Sequence, residues 1–254
     1  MQHAEHDRVQ LHQLHLQFPS MTIDDAYAIQ REWIGLKLAA GQRLVGHKIG
    51  LTSKAMQASV GIDEPDFGAL LDEMLFENGT QVPFDRFIEP RVEIELAFIL
   101  GKKLEGPHCT KFDVLSATEY VVPAVEIIDS RIQRVDPDTK SVRTILDSVS
   151  DNAITAGVVL GDRPVRPMDI DLRWVAGLLY RNGQIEETGV AAGVLNHPAN
   201  SAAWLANKLA QHGEFLLPGQ IILAGSFTRA VVGNRGDTFQ ADYGPLGAVS
   251  FQFV

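Results

Sequence analysis

The chain has 254 residues with a formal net charge of -10, 45% of them hydrophobic and 21% charged, enough length to bury a core in one large domain or two small ones. The acidic balance argues against a nucleic-acid backbone or an anionic membrane as partner, because both need a basic surface. No apolar run reaches the ~18 residues of a membrane span, and the single cysteine, Cys109, allows no intrachain disulfide and points to a reducing, cytoplasmic setting.

In chain order, His3, His6, His12 and His15 recur at helical spacing. They either bind metal or lie on a solvated, partly frayed terminal helix, and the frayed helix is the expectation. "SMTIDDAYAIQREWIGLKLAAG" is predicted as one helix, with Thr22 as N-cap, Asp25 three residues later, Ala26, Ile29, Trp33 and Leu36 on one stripe, and Gly41 past its end. "RLVGHKIGL" follows as a short strand, "TSKAMQASVGI" as a turn or short helix, and "CTKFDVLSATEY" as a helix capped by Thr110.

From Val121 the signal is mostly strand: "YVVPAVEIID", "AITAGVVLG", then "LRWVAGLLYRNGQIEET" with Asn182-Gly183 as a type I′ hairpin turn. Pro123 predicts an edge position or a bulge. The helix "HPANSAAWLANKLAQHG", capped by Asn200 or Ser201, interrupts the strands, and "QIILAGSF", "DTFQADYG" and "AVSFQFV" close the chain. The expectation is one α+β domain over 1–254, mainly helical over 1–80 and β-rich over 81–254. Strands do not alternate with helices, and neither G-x-G-x-x-G nor a P-loop occurs, which argues against a doubly wound nucleotide-binding sheet.

"EPRVEIELAFIL" puts charge into a hydrophobic strand: Glu93 and Glu95 share one face, and Val92, Ile94 and Leu96 the other. Adjacent like charges destabilise unless protonation, a cation or water relieves them. "PAVEIIDSR" repeats the anomaly with Glu126 between Val125 and Ile127. If the strands are neighbours, Glu93, Glu95 and Glu126 form an oxygen-only cage for Mg²⁺ or Mn²⁺, and the lack of His or Cys disfavours zinc. The competing reading is three glutamates on a wet face. Lys48 in "GHKIG" is either a desolvated proton-transfer lysine or a snorkelling surface one, and Asp66 in "EPDFGALL" is its partner or a turn residue. "AGSFTRA" offers Ser226, Thr228 and Arg229 as donors to a carboxylate.

With these residues assembled, the chain resembles the fumarylacetoacetate hydrolase superfamily, in its branch of 2-keto-4-pentenoate hydratases and 4-oxalocrotonate decarboxylases. "GHKIGLTSKAMQ", "EPDFGALLDEM", "EPRVEIELAFIL", "EIIDSR", "SDNAITAGVVLG", "EETGVAAGVLNHPANSAAWLANKL" and "GQIILAGSFTR" carry the likeness in order, from about Ile23 to the C-terminus. The resemblance implies a mixed β roll closed by helices, a divalent metal (Mg²⁺ or Mn²⁺) on Glu93, Glu95 and Glu126, and Lys48 and Asp66 as proton-transfer or polarising residues. It implies a ring-like homo-oligomer, pentamer or decamer, and hydration of a small dicarboxylic 2-oxo acid, with decarboxylation or a non-catalytic assembly role as rivals. In that scheme Ser226 or Thr228 binds the C1 carboxylate, and Arg229 or Arg131 the distal one. The chain departs from the superfamily's C–C hydrolases in lacking their helical His-Glu dyad.

Overall fold

Two long runs rich in branched residues, Arg91–Leu100 and Thr118–Ile128, pair antiparallel and form the spine of the molecule. The computed structural model describes residues 1–60 and 62–254, at 59 and 60 by backbone alone. Its helices are α1 (Gln2–Asp7), α2 (Leu14–Gln17), α3 (Ile23–Ala39), α4 (Lys54–Val60), α5 (Lys111–Ala117), α6 (Ile145–Ser150) and α7 (Pro198–Ala210). Its strands are β1 (Leu44–Gly50), β2 (Asp66–Leu71), β3 (Leu75–Phe76), β4 (Gln81–Val82), β5 (Arg91–Leu100), β6 (Thr118–Ile128), β7 (Thr155–Leu160), β8 (Ala176–Arg181), β9 (Gln184–Val190), β10 (Ile221–Leu223), β11 (Val231–Val232), β12 (Thr238–Asp242) and β13 (Ala248–Phe253).

The larger sheet runs β2-β1-β10-β5-β6-β7-β3, with β11 added beside β5; the smaller runs β4-β13-β12-β8-β9. Alternation along β5 divides its side chains between two environments. Val92, Ile94, Leu96 and Phe98 enter the main core with Leu179, Phe239, Phe251 and Phe253 of the smaller sheet. Ala97 packs on the other side with Leu70, Ala124, Val158 and Leu223. The sheet curls on that second side. The Asn152 side chain, just ahead of β7, exchanges two hydrogen bonds with the backbone of Ala69 in β2 (2.7 and 2.9 Å), stitching strands that lie far apart in the sheet order. This is the expected mixed roll with helices outside it, and no described helix is long and apolar enough to cross a membrane.

Several local expectations change. The N-terminus is docked rather than frayed: His12 pairs with Asp136 (3.1 Å), His15 with Asp147 (2.7 Å), and the buried Gln13 amide donates to the carbonyls of Gln133, Arg134 and Ser141. In α3 the capping box of Thr22 and Asp25 forms as expected, but the buried face is Ala26, Tyr27, Gln30, Trp33, Ile34 and Lys37, leaving Leu36 exposed. The rotation is tolerated because Gln30 donates to two carbonyls and Lys37 is ion-paired to Glu5. Pro123 lies inside β6, not at an edge, facing Leu96 of β5. Its carbonyl accepts from Gly161, so its nitrogen points toward the β7 side just where β7 has ended, and no ladder donor is lost. The cap of α7 is His197, with Pro198 at the first helical position, rather than Asn200 or Ser201. Residues 1–80 also supply β1 and β2 to the main sheet, and Gly61 of the expected short helix lies outside the described residues.

Candidate active site

The concave side of the roll collects the acids. Glu93 and Glu126 are direct register partners across β5 and β6, and Glu95 follows two residues on, opposite Ala124. One oxygen from each of the three carboxylates lies within 4.8 Å of the others. Glu95 and Glu126 are buried and Glu93 half-buried, which removes the wet-face reading. Glu95 accepts from the Gly225 backbone (2.8 Å), whereas neither oxygen of Glu126 has a hydrogen-bond donor. Such a group is costly unless a cation meets it.

Lys48 of β1 supplies one cation. Its Nζ lies 3.5 Å from Glu126 Oε2 and donates to the Ala153 carbonyl at 3.0 Å. That carbonyl belongs to three successive non-glycine residues in the left-handed region, Asn152 (φ 53°), Ala153 (φ 48°) and Ile154 (φ 57°). A β-branched residue rarely adopts this backbone, and here the Asn152 stitch to β2 holds it. Asp66 opens β2 opposite Gly50, with Oδ1 buried and unpartnered. A Cβ on Gly50 would lie 2.2 Å from that oxygen and 3.3 Å from Lys48 Nζ, so Gly50 leaves the room that both groups occupy. Gly225 (φ +113°) does the same beside Glu95, where a Cβ would strike Thr52 at 2.4 Å.

The electrostatics follow from four acids around one ammonium. Burial, then repulsion from Glu126, pushes Glu93 up to about 7 and Glu95 well above the carboxylate range. Burial raises Asp66 as well. Burial alone would lower Lys48, but the attraction of Glu126, Asp66, Glu95 and Glu93 outweighs it, and its pKa is raised. The arrangement lacks positive charge, and its donors are all carboxylate oxygens. Both properties fit a hard divalent ion.

The remaining sequence candidates lie differently. Ser226 Oγ donates to the carbonyls of Ile94 (3.3 Å) and Thr228 (2.9 Å), and Thr228 Oγ1 accepts from the Ile94 amide (3.4 Å). Their hydroxyls fasten this loop to β5 between Glu93 and Glu95. Arg229 is exposed and ion-paired to Glu187 (2.8 Å). Arg131 is buried, bound to Asp151 and to the Thr155 carbonyl, with Trp33 against its guanidinium, so the structure brings neither arginine to the acids. Sequence reasoning missed two groups: the Ala153 carbonyl, which no side-chain pattern signals, and Tyr243, whose hydroxyl donates to the Ala124 carbonyl opposite Glu95.

No family model matches the chain. It is 61% identical over 251 residues to the 2-oxo-hept-4-ene-1,7-dioate hydratase of Escherichia coli, across 99% of this chain and 94% of that protein. Among solved structures, the 4-oxalocrotonate decarboxylase of Pseudomonas putida G7, complexed with magnesium and adipate, superposes with a TM-score of 0.94 at 36% identity, over 100% of this chain and 94% of that one. The fumarylpyruvate hydrolase of Pseudomonas aeruginosa shares the fold at a TM-score of 0.64 and 14% identity, over 82% of this chain and 88% of the other. On these relatives the chain belongs to the fumarylacetoacetate hydrolase superfamily, in the branch of oxo-alkenoate hydratases and oxalocrotonate decarboxylases.

Proposed function

We propose that the protein is a divalent-metal-dependent hydro-lyase that adds water to 2-oxohept-4-ene-1,7-dioate, or its 2-hydroxydienoate tautomer, to give 4-hydroxy-2-oxoheptanedioate in aromatic catabolism. The observation that carries this reading is the buried Glu93–Glu95–Glu126 cluster with Lys48 against it, in a chain 61% identical to a hydratase of that name. Glu93, Glu95 and Glu126 would hold the ion, Mg²⁺ or Mn²⁺, and when bound it supplies a Lewis acid to the oxo-acid end of the substrate.

The chain's own residues handle protons and water. Once the double bond is conjugated with the 2-oxo group, carbon 4 is the electrophile. Water attacks there as Asp66 Oδ1, unpartnered and raised in basicity by burial, takes its proton. The C3=C4 π pair moves toward the carbonyl, and Lys48 Nζ, kept as ammonium by its acidic neighbours, returns a proton to carbon 3. Gly50 leaves the space both groups occupy, and the Ala153 carbonyl in the left-handed turn holds Lys48 beside Glu126.

Incubation with Mg²⁺ and the seven-carbon dienoate is expected to abolish dienol absorbance and yield the 4-hydroxy-2-oxo diacid. Release of CO₂ without a hydroxylated product would select the decarboxylase reading, which the 36% identical structure favours. Self-association into a pentamer or decamer belongs to the same reading and is supported by exposed apolar side chains at Leu36, Leu38, Leu44 and Trp174. Light scattering giving one chain mass would overturn it. A cytoplasmic setting is supported by Cys109, a free thiol in the described structure.

A further inference from the structure

A second cluster of charge lies one step along β5 from the glutamates, and it is cationic. Arg91, Arg134 and Arg143 line one cleft of ≈ 30 Å³ with Ser130, the scale of a small polar group rather than of a whole substrate. Among the described residues the guanidinium of Arg91 makes no hydrogen bond or ion pair, nor does that of Arg134, and the Arg143 guanidinium donates only to Ser130 Oγ. No acid among the described residues forms an ion pair with the three guanidinium groups. Asp129 spends both oxygens on the amides of Ile88 (2.8 Å) and Glu89 (2.7 Å), and the Glu89 side chain is exposed at the rim. Burial lowers the Arg143 pKa despite the attraction of Asp151 and Asp147, as for a guanidinium short of a facing anion.

The cleft adjoins the acids on each side. Arg91 shares the face of Glu93 two residues earlier on β5, its Cα about 7 Å away along the strand. Across from it, Ile128 follows Glu126 by two on β6, and Ile154 follows Ala153, whose carbonyl holds Lys48; both isoleucines line the cleft. A seven-carbon diacid has six C–C bonds of about 1.5 Å and spans about 7–8 Å when extended. That length is of the same order as the two-residue step along β5 from Glu93 to Arg91. Guanidinium groups are the side chains best suited to grip a carboxylate through paired N–H donors.

We propose that Arg91, Arg134 and Arg143 form the seat of the distal carboxylate of a dicarboxylic substrate whose oxo-acid end lies at Glu93, Glu95 and Glu126, an inference that rests on the hydratase reading. This cleft, rather than Arg131 or Arg229, then decides between dicarboxylic and monocarboxylic dienoates.

The test compares Mg²⁺-loaded wild type with Arg134→Gln, Arg143→Gln and Arg143→Lys. Calorimetry measures binding of heptanedioate against heptanoate, and kinetics measure kcat/KM for the seven-carbon dicarboxylic against the five-carbon monocarboxylic dienoate. Wild type is expected to prefer each diacid at least tenfold, the glutamine variants to lose at least fivefold of that preference, and the lysine variant to keep part of it. Arg134 is exposed, so its variant stays informative if Arg143→Gln fails to fold. Equal binding of the two acids by wild type, or an unchanged ratio in the soluble variants, overturns the assignment. Turnover with an unaltered preference sinks the cleft alone. A binding preference lost in the variants, without turnover of any dienoate, supports the cleft and sinks the hydratase reading.

Discussion

Lys48 and Gly50 carry the sharpest consequences at the scale of single residues. Replacing Lys48 by Met removes the ammonium facing Glu126 and with it the proposed proton donor, and kcat is expected to fall by about 10²–10⁴. Steady-state kinetics at saturating substrate check this, and a variant within threefold of wild type would remove Lys48 from the chemistry. Gly50→Ala adds one carbon 2.2 Å from Asp66 Oδ1, and the forced displacement is expected to cost about 10² in rate. The three glutamates were legible because a carboxylate inside a run of Val, Ile and Leu contradicts its surroundings whatever the fold. The arginine cleft was not, since Arg91, Arg134 and Arg143 are unremarkable in their local sequence and meet only through the pairing of β5 with β6 and the return of the chain after it.

Elements were legible where the signal is local and illegible where tertiary partners decide. Thr22-x-x-Asp25 and Thr110-x-x-Asp113 each close a capping box, and Asn182-Gly183 turns the β8–β9 hairpin with both residues at positive φ. The buried face of α3, by contrast, depends on carbonyls of Phe67 and Val149 that Gln30 finds across the fold. The left-handed turn at Asn152–Ile154 is of the same kind: nothing in "SDNAIT" announces three positive φ values, because β2 imposes them. Asn152→Ala would leave a buried N–H and C=O of Ala69 without partners, each worth about 1–3 kcal/mol, and the stitch closing the roll is expected to weaken by about 3 kcal/mol. Urea unfolding measures that loss. A change below about 0.5 kcal/mol would mean that the roll is closed by other contacts.

At the scale of the whole molecule, the fold stores unfavourable charge that a divalent metal on the three glutamates, in the proposed reading, would relieve. Glu93 sits at about 7 and Glu95 also above its unfolded value, so the metal-free native state binds more protons than the unfolded chain between the ordinary glutamate range and about pH 7. These groups therefore contribute stability that is present in mild acid and lost as pH rises through 7. Metal-free protein is expected to melt lower at pH 7.5 than at pH 5.5, and Mg²⁺ to raise the melting temperature more at pH 7.5, where fewer protons compete for the carboxylates. Calorimetric melts with and without chelator read both signs, and an equal Mg²⁺ shift at the two pH values would count against proton–metal competition.

The most direct measurement is the binding of Mn²⁺ or Mg²⁺ to the chelator-treated chain at pH 7.5, by titration calorimetry, for wild type and Glu126→Gln. The variant keeps the side chain's shape but replaces one of the two buried, donorless oxygens with an amide. The expected result is one ion per wild-type chain and at least 100-fold weaker binding in a variant with an unchanged circular dichroism spectrum. Wild-type affinity in that variant, or no binding in wild type, would contradict a metal centre on Glu93, Glu95 and Glu126.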